Sequence, residues 1–295
     1  MTDFLFPTDL DPEAPAYLNG SWLALSQARV SVLDRGFLFG DGIYEVVPVY
    51  GRKPFAWDGH LARLHRSLAA LSLESATAAI DWAEIVQGLI AQAKAQDQFI
   101  YLQVTRGVAR RDHSFPRPAV QPTVFAMVSP LKRPSAQDRA EGLRAISLPD
   151  ERWLRCDIKS VALLGNVLAR ETAVAQGAHE AILSRQGFLT EGAASNIWVV
   201  SQGRLRCPPR SNQLLAGIRM SILPALARAL EIPFEEGPIA QTEVLQADEL
   251  LLTSATKEVM PITLLDGRPV GTGVPGPVFH ALRAAYDQAI EAHCA

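Results

Sequence analysis

Cysteine is scarce in this chain. Its 295 residues contain three cysteines, Cys156, Cys207 and Cys294, and no pair of them has CxxC spacing. A disulfide framework or a structural zinc site needs more cysteines at closer and more regular spacing. We therefore expect reduced thiols and no bound metal.

Long hydrophobic runs are also missing. Nowhere do about 18 uncharged apolar residues follow one another, which is roughly the length that a membrane-spanning helix requires. The opening stretch, MTDFLFPTDLDPEAPAYLNG, has no basic segment followed by a long apolar one, as a secretory signal has. We expect a cytoplasmic protein with no membrane partner.

Basic residues are not in excess. Lysine and arginine number 28 and the acidic residues 31, so the formal net charge is -3. Proteins that bind nucleic acid neutralise a phosphate backbone with surplus positive charge, and this chain has none. The nucleotide-binding patterns GxxxxGK[ST] and GxGxxG are absent as well. A small-molecule ligand is the better expectation.

What is present suits a folded chain of two domains. Apolar residues make up 48% and charged residues 20%, as in ordinary soluble proteins, and 295 residues exceed the usual size of one domain. Between the halves, SPLKRPSAQD collects proline, serine and charge without periodicity. We predict a smaller N-terminal domain over residues 1–129, a linker over 130–139 and a larger C-terminal domain over 140–295.

Strand-like and helix-like segments are interleaved in both halves. Asn19-Gly20 is a hairpin signal, and IYEVVPVY, FIYLQVTRG and PTVFAMVSP have the β-branched and aromatic content of strands. Apolar residues at helical spacing predict helices over 58–73, 81–95, about 161–177 and 218–230. Further strands are predicted at LRAISLP, EAILSR, NIWVV and DELLLTSAT, with an amphipathic helix at the end. The fold class is therefore α/β or mixed α+β.

One lysine stands out from its surroundings. Lys159, in RWLRCDIKSVALLGNVLAR, precedes a strongly apolar helical run. Desolvation favours the neutral form of an amine, and a neutral amine is what Schiff-base chemistry requires. A solvated surface lysine fits the same local pattern, so the neighbourhood alone leaves both interpretations open.

Other segments carry groups suited to a charged ligand. Glu191, in LTEGAASNIW, ends a strand before small residues, either as an ion-pair member or as a capping acid. Gly217 precedes a helix start, and the turn TSAT supplies hydroxyls, so both segments suit a phosphate or serve as ordinary caps. The stretch VTRGVARRDHSFP presents Arg106, Arg110, Arg111 and His113, which either clamp a carboxylate or form a solvated basic loop.

The order of these segments is more specific than any one of them. Together, LDRGFLFGDGIYEVV, VTRGVARRDHSFP, RWLRCDIKS, LTEGAASNIW, LAGIRM and DELLLTSAT resemble the fold-type-IV aminotransferases, and within them the D-amino-acid transaminases. The resemblance runs from about Ala16 to Asp266. It implies pyridoxal 5'-phosphate as the cofactor, carried by the C-terminal domain, and a homodimeric protein.

The resemblance also implies roles for individual residues. Lys159 matches the Schiff-base lysine, and Glu191 matches the carboxylate that pairs with the pyridine nitrogen of the cofactor. Further cofactor contacts are implied for Arg63 in HLARLH and for Asn196, Gly217, Ile218, Ser254 and Ala255. Tyr44, Arg111 and His113 match the group that receives the substrate carboxylate.

Some positions depart from the family pattern, and the run Gly-Ala-Ala-Ser after Glu191 is leaner in hydroxyls than usual. Arg219 follows Ile218 where threonine is common, and Ala255 also stands where threonine is usual, so two hydroxyls are lost from the implied phosphate site. A guanidinium that turns inward is able to compensate.

The expected reaction is transfer of the amino group of a D-amino acid, such as D-alanine, to a 2-oxo acid, such as 2-oxoglutarate. The same lysine and glutamate also serve branched-chain L-aminotransferases, R-selective amine transaminases and aminodeoxychorismate lyases, and fold does not choose among these. A non-enzymatic binding module of the same fold is a further alternative, against which the intact Lys159 and Glu191 speak.

Overall fold

A computed structural model describes residues 6–294 as two compact units. Unit 1 takes in the chain up to Lys132, together with Ile158–Ala162 and Cys294, and unit 2 takes in Arg133–Asp157 and Leu163–His293. Residues 1–5, which begin the stretch in which we found no secretory signal, and residue 295 lie outside the described residues.

Unit 1 is built on one antiparallel sheet. Its strands are β1 (Pro15–Leu18), β2 (Ser21–Ala24), β3 (Gly42–Tyr50), β4 (Lys53–Pro54), β5 (Gln98–Thr105) and β6 (Thr123–Pro130). Their order in the sheet is β2-β1-β6-β5-β3-β4. The helices of this unit are α1 (Arg35–Phe39), α2 (Trp57–Ala70) and α3 (Trp82–Gln92).

The two faces of this sheet differ. Along β3 and β5 every second side chain, among them Val47, Ile100 and Leu102, is buried in a core shared with α2 and α3. Several of the intervening side chains, Tyr44 and Tyr101 among them, are only half-buried. Because successive residues of a strand point to opposite faces, one face is core and part of the other is accessible to solvent.

The predicted hairpin at Asn19-Gly20 is confirmed. The two residues join β1 to β2 with φ values of 49° and 91°. Positive φ at both central positions matches the twist of the flanking strands, and Asn-Gly accepts it at low cost.

Unit 2 contains a nine-stranded mixed sheet. Its strands are β7 (Leu143–Pro149), β8 (Glu180–Arg185), β9 (Phe188–Gly192), β10 (Asn196–Ser201), β11 (Arg204–Cys207), β12 (Phe234–Glu236), β13 (Glu249–Ser254), β14 (Glu258–Leu265) and β15 (Arg268–Pro269). The order is β12-β11-β10-β13-β14-β7-β8-β9, and β15 pairs with β14. β7 runs parallel to both neighbours, and β12 runs parallel to β11.

Five helices accompany this sheet: α4 (Ala136–Glu141), α5 (Leu164–Ala175), α6 (Arg219–Ala229), α7 (Gln241–Leu245) and α8 (Pro277–Cys294). The mixed α/β fold class is confirmed. No helix among the described residues has the length and apolar character needed to cross a membrane.

The helices predicted over 58–73, 81–95, 161–177 and 218–230 correspond to α2, α3, α5 and α6. The observed ends differ from the predicted ones by a few residues. Asp81 is an N-cap rather than a helical residue, since its carboxylate accepts a hydrogen bond from the Glu84 amide at 2.9 Å. Residues 161–163 lie outside α5, and the Val161 amide donates to the Gly42 carbonyl beside β3.

The stretch assigned to a linker contains a helix that the sequence analysis missed. Ser135 caps α4 in a reciprocal arrangement with Asp138, the S-x-x-D form of a capping box. The segment around Lys159 also differs from expectation. We assigned it to the C-terminal domain, yet its contacts place it in unit 1, because it forms a bridge beside β3 at Ile43 and Ser160.

Candidate active site

Lys159 is held against β3 in unit 1. Its carbonyl accepts from the Tyr44 amide at 2.9 Å, and its amide donates to the Ser67 hydroxyl at 3.3 Å. The side chain is half-buried, with Nζ 4.0 Å from the centre of the Tyr44 ring. The aromatic face shelters the amine from water on one side.

Tyr44 belongs to a small polar and aromatic patch on the partly accessible face of the sheet. Its ring stacks on Tyr101 with centroids 5.8 Å apart, and the Tyr101 hydroxyl donates to Gln103 Oε1 at 2.7 Å. Burial raises the pKa of Tyr101 to about 12, with a smaller contribution from Tyr44. Tyr101 therefore remains protonated, and a hydrogen-bond donor, throughout the neutral range.

Arg111 and His113 lie in the exposed loop that follows β5. Both contact the ring of Phe39, His113 with ring centroids 5.4 Å apart and Arg111 with its guanidinium carbon 5.3 Å from the ring centre. No hydrogen bond or ring contact joins either one to Tyr44 within residues 6–294. The structure thus brings together two members of the predicted carboxylate-binding trio and leaves the third on the sheet.

The loop is fastened by a salt-bridge cluster that the sequence analysis missed. Arg35 donates to the carbonyls of Asp112 and His113 at 2.5 and 3.5 Å, and its Nε donates to Asp41 at 2.7 Å. Asp41 also accepts two hydrogen bonds from Arg106, at 2.8 and 3.0 Å. Arg35 and Asp41 both stand in the LDRGFLFGDG motif, so the motif was the available signal.

Arg106 is not available as a clamp, although it was one of the basic candidates of this loop. Its side chain is buried and donates to the Leu71 carbonyl at 2.8 Å, and its guanidinium carbon lies 3.4 Å from the ring centre of Phe115. Its charge is paired with that of Asp41, so it braces the loop from within.

Arg63 points into unit 1 from α2. Its Nε and Nη2 donate to the two carboxylate oxygens of Glu45 at 3.0 and 2.6 Å, and His60 Nδ1 lies 3.0 Å from the same carboxylate. Burial alone would raise the pKa of Glu45, but the charge and hydrogen bonds of Arg63 and His60 bring it well below its usual range. The guanidinium is held in one orientation by this bidentate pair.

Glu191 lies on β9 in unit 2 with its carboxylate buried. Oε1 accepts from Arg152 at 2.5 Å, and Oε2 accepts from the Leu215 amide at 3.1 Å and from Asn196 at 3.3 Å. Burial raises its pKa to about 7, and the nearby Arg152 opposes that rise. A carboxyl that titrates near neutrality is suited to share a proton with a basic ring nitrogen.

Asn196 connects Glu191 to the segment before α6. Its side-chain amide donates to the Leu215 carbonyl at 2.9 Å as well as to Glu191. Its Oδ1 lies so close to Gly217 that a Cβ atom there would approach it to 2.0 Å. A side chain at 217 would therefore displace the Asn196 amide.

The start of α6 has open hydrogen-bond donors. Ile218, its N-cap residue, offers no side-chain cap. Within residues 6–294, the amides of Gly217 and Ile218 donate no hydrogen bond to a protein acceptor. Unpaired amides at a helix N-terminus attract an anion, so the donor set suits a phosphate group.

Ser254 and Ala255 begin the turn between β13 and β14. Ser254 Oγ accepts from the Lys257 amide at 3.0 Å, which leaves its hydroxyl hydrogen available to a ligand. The Ala255 carbonyl accepts from Arg219 at 3.2 Å, so the guanidinium links this turn to the start of α6. The two segments predicted for phosphate are thereby joined.

Arg152 is the other important residue without a predicted role. It was part of the quoted RWLRCDIKS segment, but its partner Glu191 is 39 residues away in sequence. The spacing of residues within either motif does not indicate that Arg152 pairs with Glu191.

These features match one protein family. Residues 42–265 match the model of the family described as amino-transferase class IV. The chain belongs to this family and is a pyridoxal-phosphate-dependent aminotransferase, which confirms the family and the cofactor expected from the sequence.

Particular relatives extend the match over nearly the whole chain. A D-alanine aminotransferase of Staphylococcus aureus (strain MSSA476) is 40% identical over 278 residues, covering 94% of this chain and 98% of the relative. One from Bacillus licheniformis is 38% identical over 273 residues, covering 92% of this chain and 95% of the relative.

Solved structures show the same fold. The branched-chain aminotransferase from the thermophilic archaeon Thermoproteus uzoniensis, solved with norvaline, has a TM-score of 0.80 at 25% identity, with 94% of this chain and 95% of that chain covered. A fold IV-transaminase from Curtobacterium pusillum has a TM-score of 0.77 at 25% identity, with 90% of this chain and 92% of that chain covered.

Each unit, taken by itself, carries groups that fit part of the cofactor. Unit 2 supplies a buried carboxylate of raised pKa, two open amides at a helix start and a serine hydroxyl, which suit a ring nitrogen and a phosphate. Unit 1 supplies a sheltered lysine amine.

Proposed function

We propose that this aminotransferase takes the amino group from a D-amino acid such as D-alanine and passes it to a 2-oxo acid such as 2-oxoglutarate. The observation that carries this proposal is the 40% identity to a D-alanine aminotransferase across 94% of the chain. The presence of Arg111 and His113 in a fastened loop supports it.

Pyridoxal phosphate, when bound, supplies an electron sink that stabilises the negative charge left at Cα of the substrate. Lys159 would hold the cofactor through its ε-amine. The same amine would take the Cα proton of the substrate as a general base and later return a proton as a general acid. Tyr44 keeps this amine at a defined place on the sheet.

Glu191 holds the ring nitrogen of the cofactor in its protonated form. Gly217 and Ile218 bind the phosphate through their amides and Ser254 through its hydroxyl, with Ala255 in the same turn. Asn196 fixes both Glu191 and the segment before Gly217. Arg63 has the phosphate role that family resemblance implies, with Glu45 orienting its guanidinium.

The substrate carboxylate is bound by Tyr44, Arg111 and His113. A guanidinium binds a carboxylate with directional, charge-assisted hydrogen bonds, so this contact orients the substrate as well as holding it. A single lysine removes a proton from one face only, so the place of the carboxylate determines which enantiomer reacts.

We further propose that the enzyme is a cytoplasmic homodimer. The three cysteines are free, as expected in a reducing compartment. In unit 2, α5 exposes Leu164, Val167 and Leu168 at helical spacing, and in unit 1 the segment before α1 exposes Val32 by 68%. Apolar surfaces of this kind are typical of subunit interfaces. Light scattering should give twice the chain mass of 32.1 kDa, and a monomer would contradict the proposal.

The test of function is a donor panel with 2-oxoglutarate as acceptor and chiral analysis of the products. D-Alanine should be converted, and L-leucine and 1-phenylethylamine should react poorly. Good activity on either of the latter, with none on any D-amino acid, would point to a branched-chain L-aminotransferase or an amine transaminase.

Colour tests the cofactor role of Lys159 independently of substrate choice. The purified protein should absorb near the visible edge, and Lys159→Ala should lose that band. Lys132→Ala is the control, since Lys132 is an exposed lysine of unit 1. A colourless protein that does not take up the cofactor would favour the binding-module alternative.

A further inference from the structure

Arg219 is a buried arginine where the family commonly has threonine. It is the first residue of α6 and is only 3% exposed. Burying a guanidinium is unfavourable unless its donors are hydrogen-bonded. The contacts of Arg219 therefore indicate what it does.

Two of these contacts reach different parts of unit 2. Nη2 donates to the Ala255 carbonyl at 3.2 Å, and Nε donates to the Tyr286 hydroxyl at 3.1 Å. Ala255 lies in the turn that carries Ser254, and Tyr286 is a fully buried residue of α8. One side chain thus joins the start of α6, the hydroxyl turn and α8.

The far end of the turn is held in a similar way. Glu258 has a φ of 57°, which is unfavourable for a residue with a side chain, and its carboxylate is completely buried. Arg133 Nε lies 2.8 Å and Arg283 Nη2 lies 2.6 Å from that carboxylate. Arg139 Nη2 lies 3.6 Å from the same carboxylate, so the turn is fastened by Arg219 at Ala255 and by three arginines at Glu258.

The start of α6 is suited to an anion, because the N-terminus of a helix carries partial positive charge. The adjacent amides of Gly217 and Ile218 are open donors suited to the same anion.

We propose that Arg219 is a positioning residue for the cofactor phosphate. It holds the Ser254 turn against the start of α6 and so sets the spacing between the hydroxyl of Ser254 and the amides of Gly217 and Ile218. In this chain an arginine thereby replaces the hydroxyl that threonine commonly supplies. The inference rests on the proposed phosphate roles of those three residues.

The experiment compares the dissociation constants of the apoenzyme for pyridoxal phosphate and for pyridoxal, which lacks the phosphate. Wild type, Arg219→Met, Arg219→Thr and Tyr286→Phe are measured by equilibrium dialysis. Arg228→Met is the control, because Arg228 is an exposed arginine at the other end of α6.

Arg219→Met should weaken pyridoxal phosphate binding by about tenfold or more and leave pyridoxal binding nearly unchanged. Tyr286→Phe should produce a smaller loss in the same direction, and Arg228→Met none. Arg219→Thr should recover part of the loss, because its hydroxyl is the group the family commonly uses.

Equal losses for both ligands, or no loss for either, in Arg219→Met would overturn the role of Arg219. If circular dichroism shows that this variant does not fold, Tyr286→Phe and Arg219→Thr decide the question. The measure is the same, the ratio of the dissociation constants for pyridoxal phosphate and pyridoxal. A wild-type enzyme without preference for the phosphorylated ligand would instead refute the proposed phosphate site, and with it this inference.

Discussion

Arg152 Nη1 lies 2.5 Å from Glu191 Oε1, and both side chains are only 6% exposed. The same guanidinium donates to Asp150 through Nε and Nη2, each at 2.9 Å. One buried cation therefore serves two buried carboxylates. The pKa of Glu191 is set by burial, which raises it, and by this shared partner, which lowers it.

The first prediction concerns the pH dependence of stability in the apoenzyme. The pKa of Glu191 is raised from 4.5 to about 7, so between these values the folded chain holds a proton that the unfolded chain has released. Stability should therefore fall as pH rises through this window, by about 3 kcal/mol at most. Urea denaturation of wild type and Glu191→Gln from pH 4.5 to 8 checks this. If the free energy of unfolding changed with pH by the same amount in both proteins, the prediction would be wrong.

The second prediction concerns the loss of Arg152. Arg152→Met leaves the buried Glu191 carboxylate without its arginine, while Asp150 keeps its pair with Arg185 at 3.1 Å, and should lower the free energy of unfolding by about 3–5 kcal/mol at pH 8. Adding Glu191→Gln should recover part of that loss, because the unpaired charge is then gone. Arg155→Met is the control: its pair with Asp157 is 50% and 40% exposed, and surface pairs contribute about 0–1 kcal/mol. Equal losses of stability in the two arginine variants would show that the buried pair of Arg152 and Glu191 contributes no more than an exposed pair.

The third prediction concerns the substrate carboxylate. Arg111→Ala should raise KM for D-alanine by about tenfold or more, the loss expected for a hydrogen bond to a charged group. Slow turnover of 1-phenylethylamine, which has no carboxylate, should be unaffected. Arg110→Ala is the matched control in the same exposed loop. Arg35→Met should imitate Arg111→Ala in part, since Arg35 holds the carbonyls of Asp112 and His113. Unchanged kinetics in Arg111→Ala would remove it from the site.

The fourth prediction concerns Gly217. A Cβ atom at this position would lie 2.0 Å from Asn196 Oδ1, so Gly217→Ala must displace Asn196 and weaken its contacts with Glu191 and Leu215. Cofactor affinity should fall by about tenfold or more, measured by equilibrium dialysis. At Gly237 an added Cβ would meet only Glu235, at 3.4 Å, an ordinary contact. Gly237→Ala should therefore bind as wild type does, and equal binding by both variants would contradict the close packing of Asn196.

Local signals predicted local structure well. Asn19-Gly20 predicted a hairpin because a two-residue turn with positive φ at both positions depends on those residues alone. The periodicity of α2, α3, α5 and α6 was visible because each buries one face. The short helix α4 was missed because it has no buried residue, although its capping box was present in the sequence.

The order of motifs, taken as a resemblance, predicted the family and the cofactor, and comparison confirmed both. The roles of the individual site residues stay predictions. The structure shows that Asn196 packs directly against Gly217. It also shows that Arg106 is buried while Arg111 is exposed, although both occur in one basic stretch. Burial separates those two arginines, and charge alone does not indicate burial.

The sequence by itself determined the fold class, the hairpin at Asn19-Gly20 and most helices, because these depend on local residue types and periodicity. Its order of motifs, taken as a resemblance, indicated membership of the class IV aminotransferases. Only the tertiary structure decided which charges pair. Arg106 meets Asp41 across 65 residues, and Arg219 meets the Ala255 carbonyl across 36. Such partners are chosen by packing, since a buried guanidinium requires acceptors and takes those that the fold brings within reach.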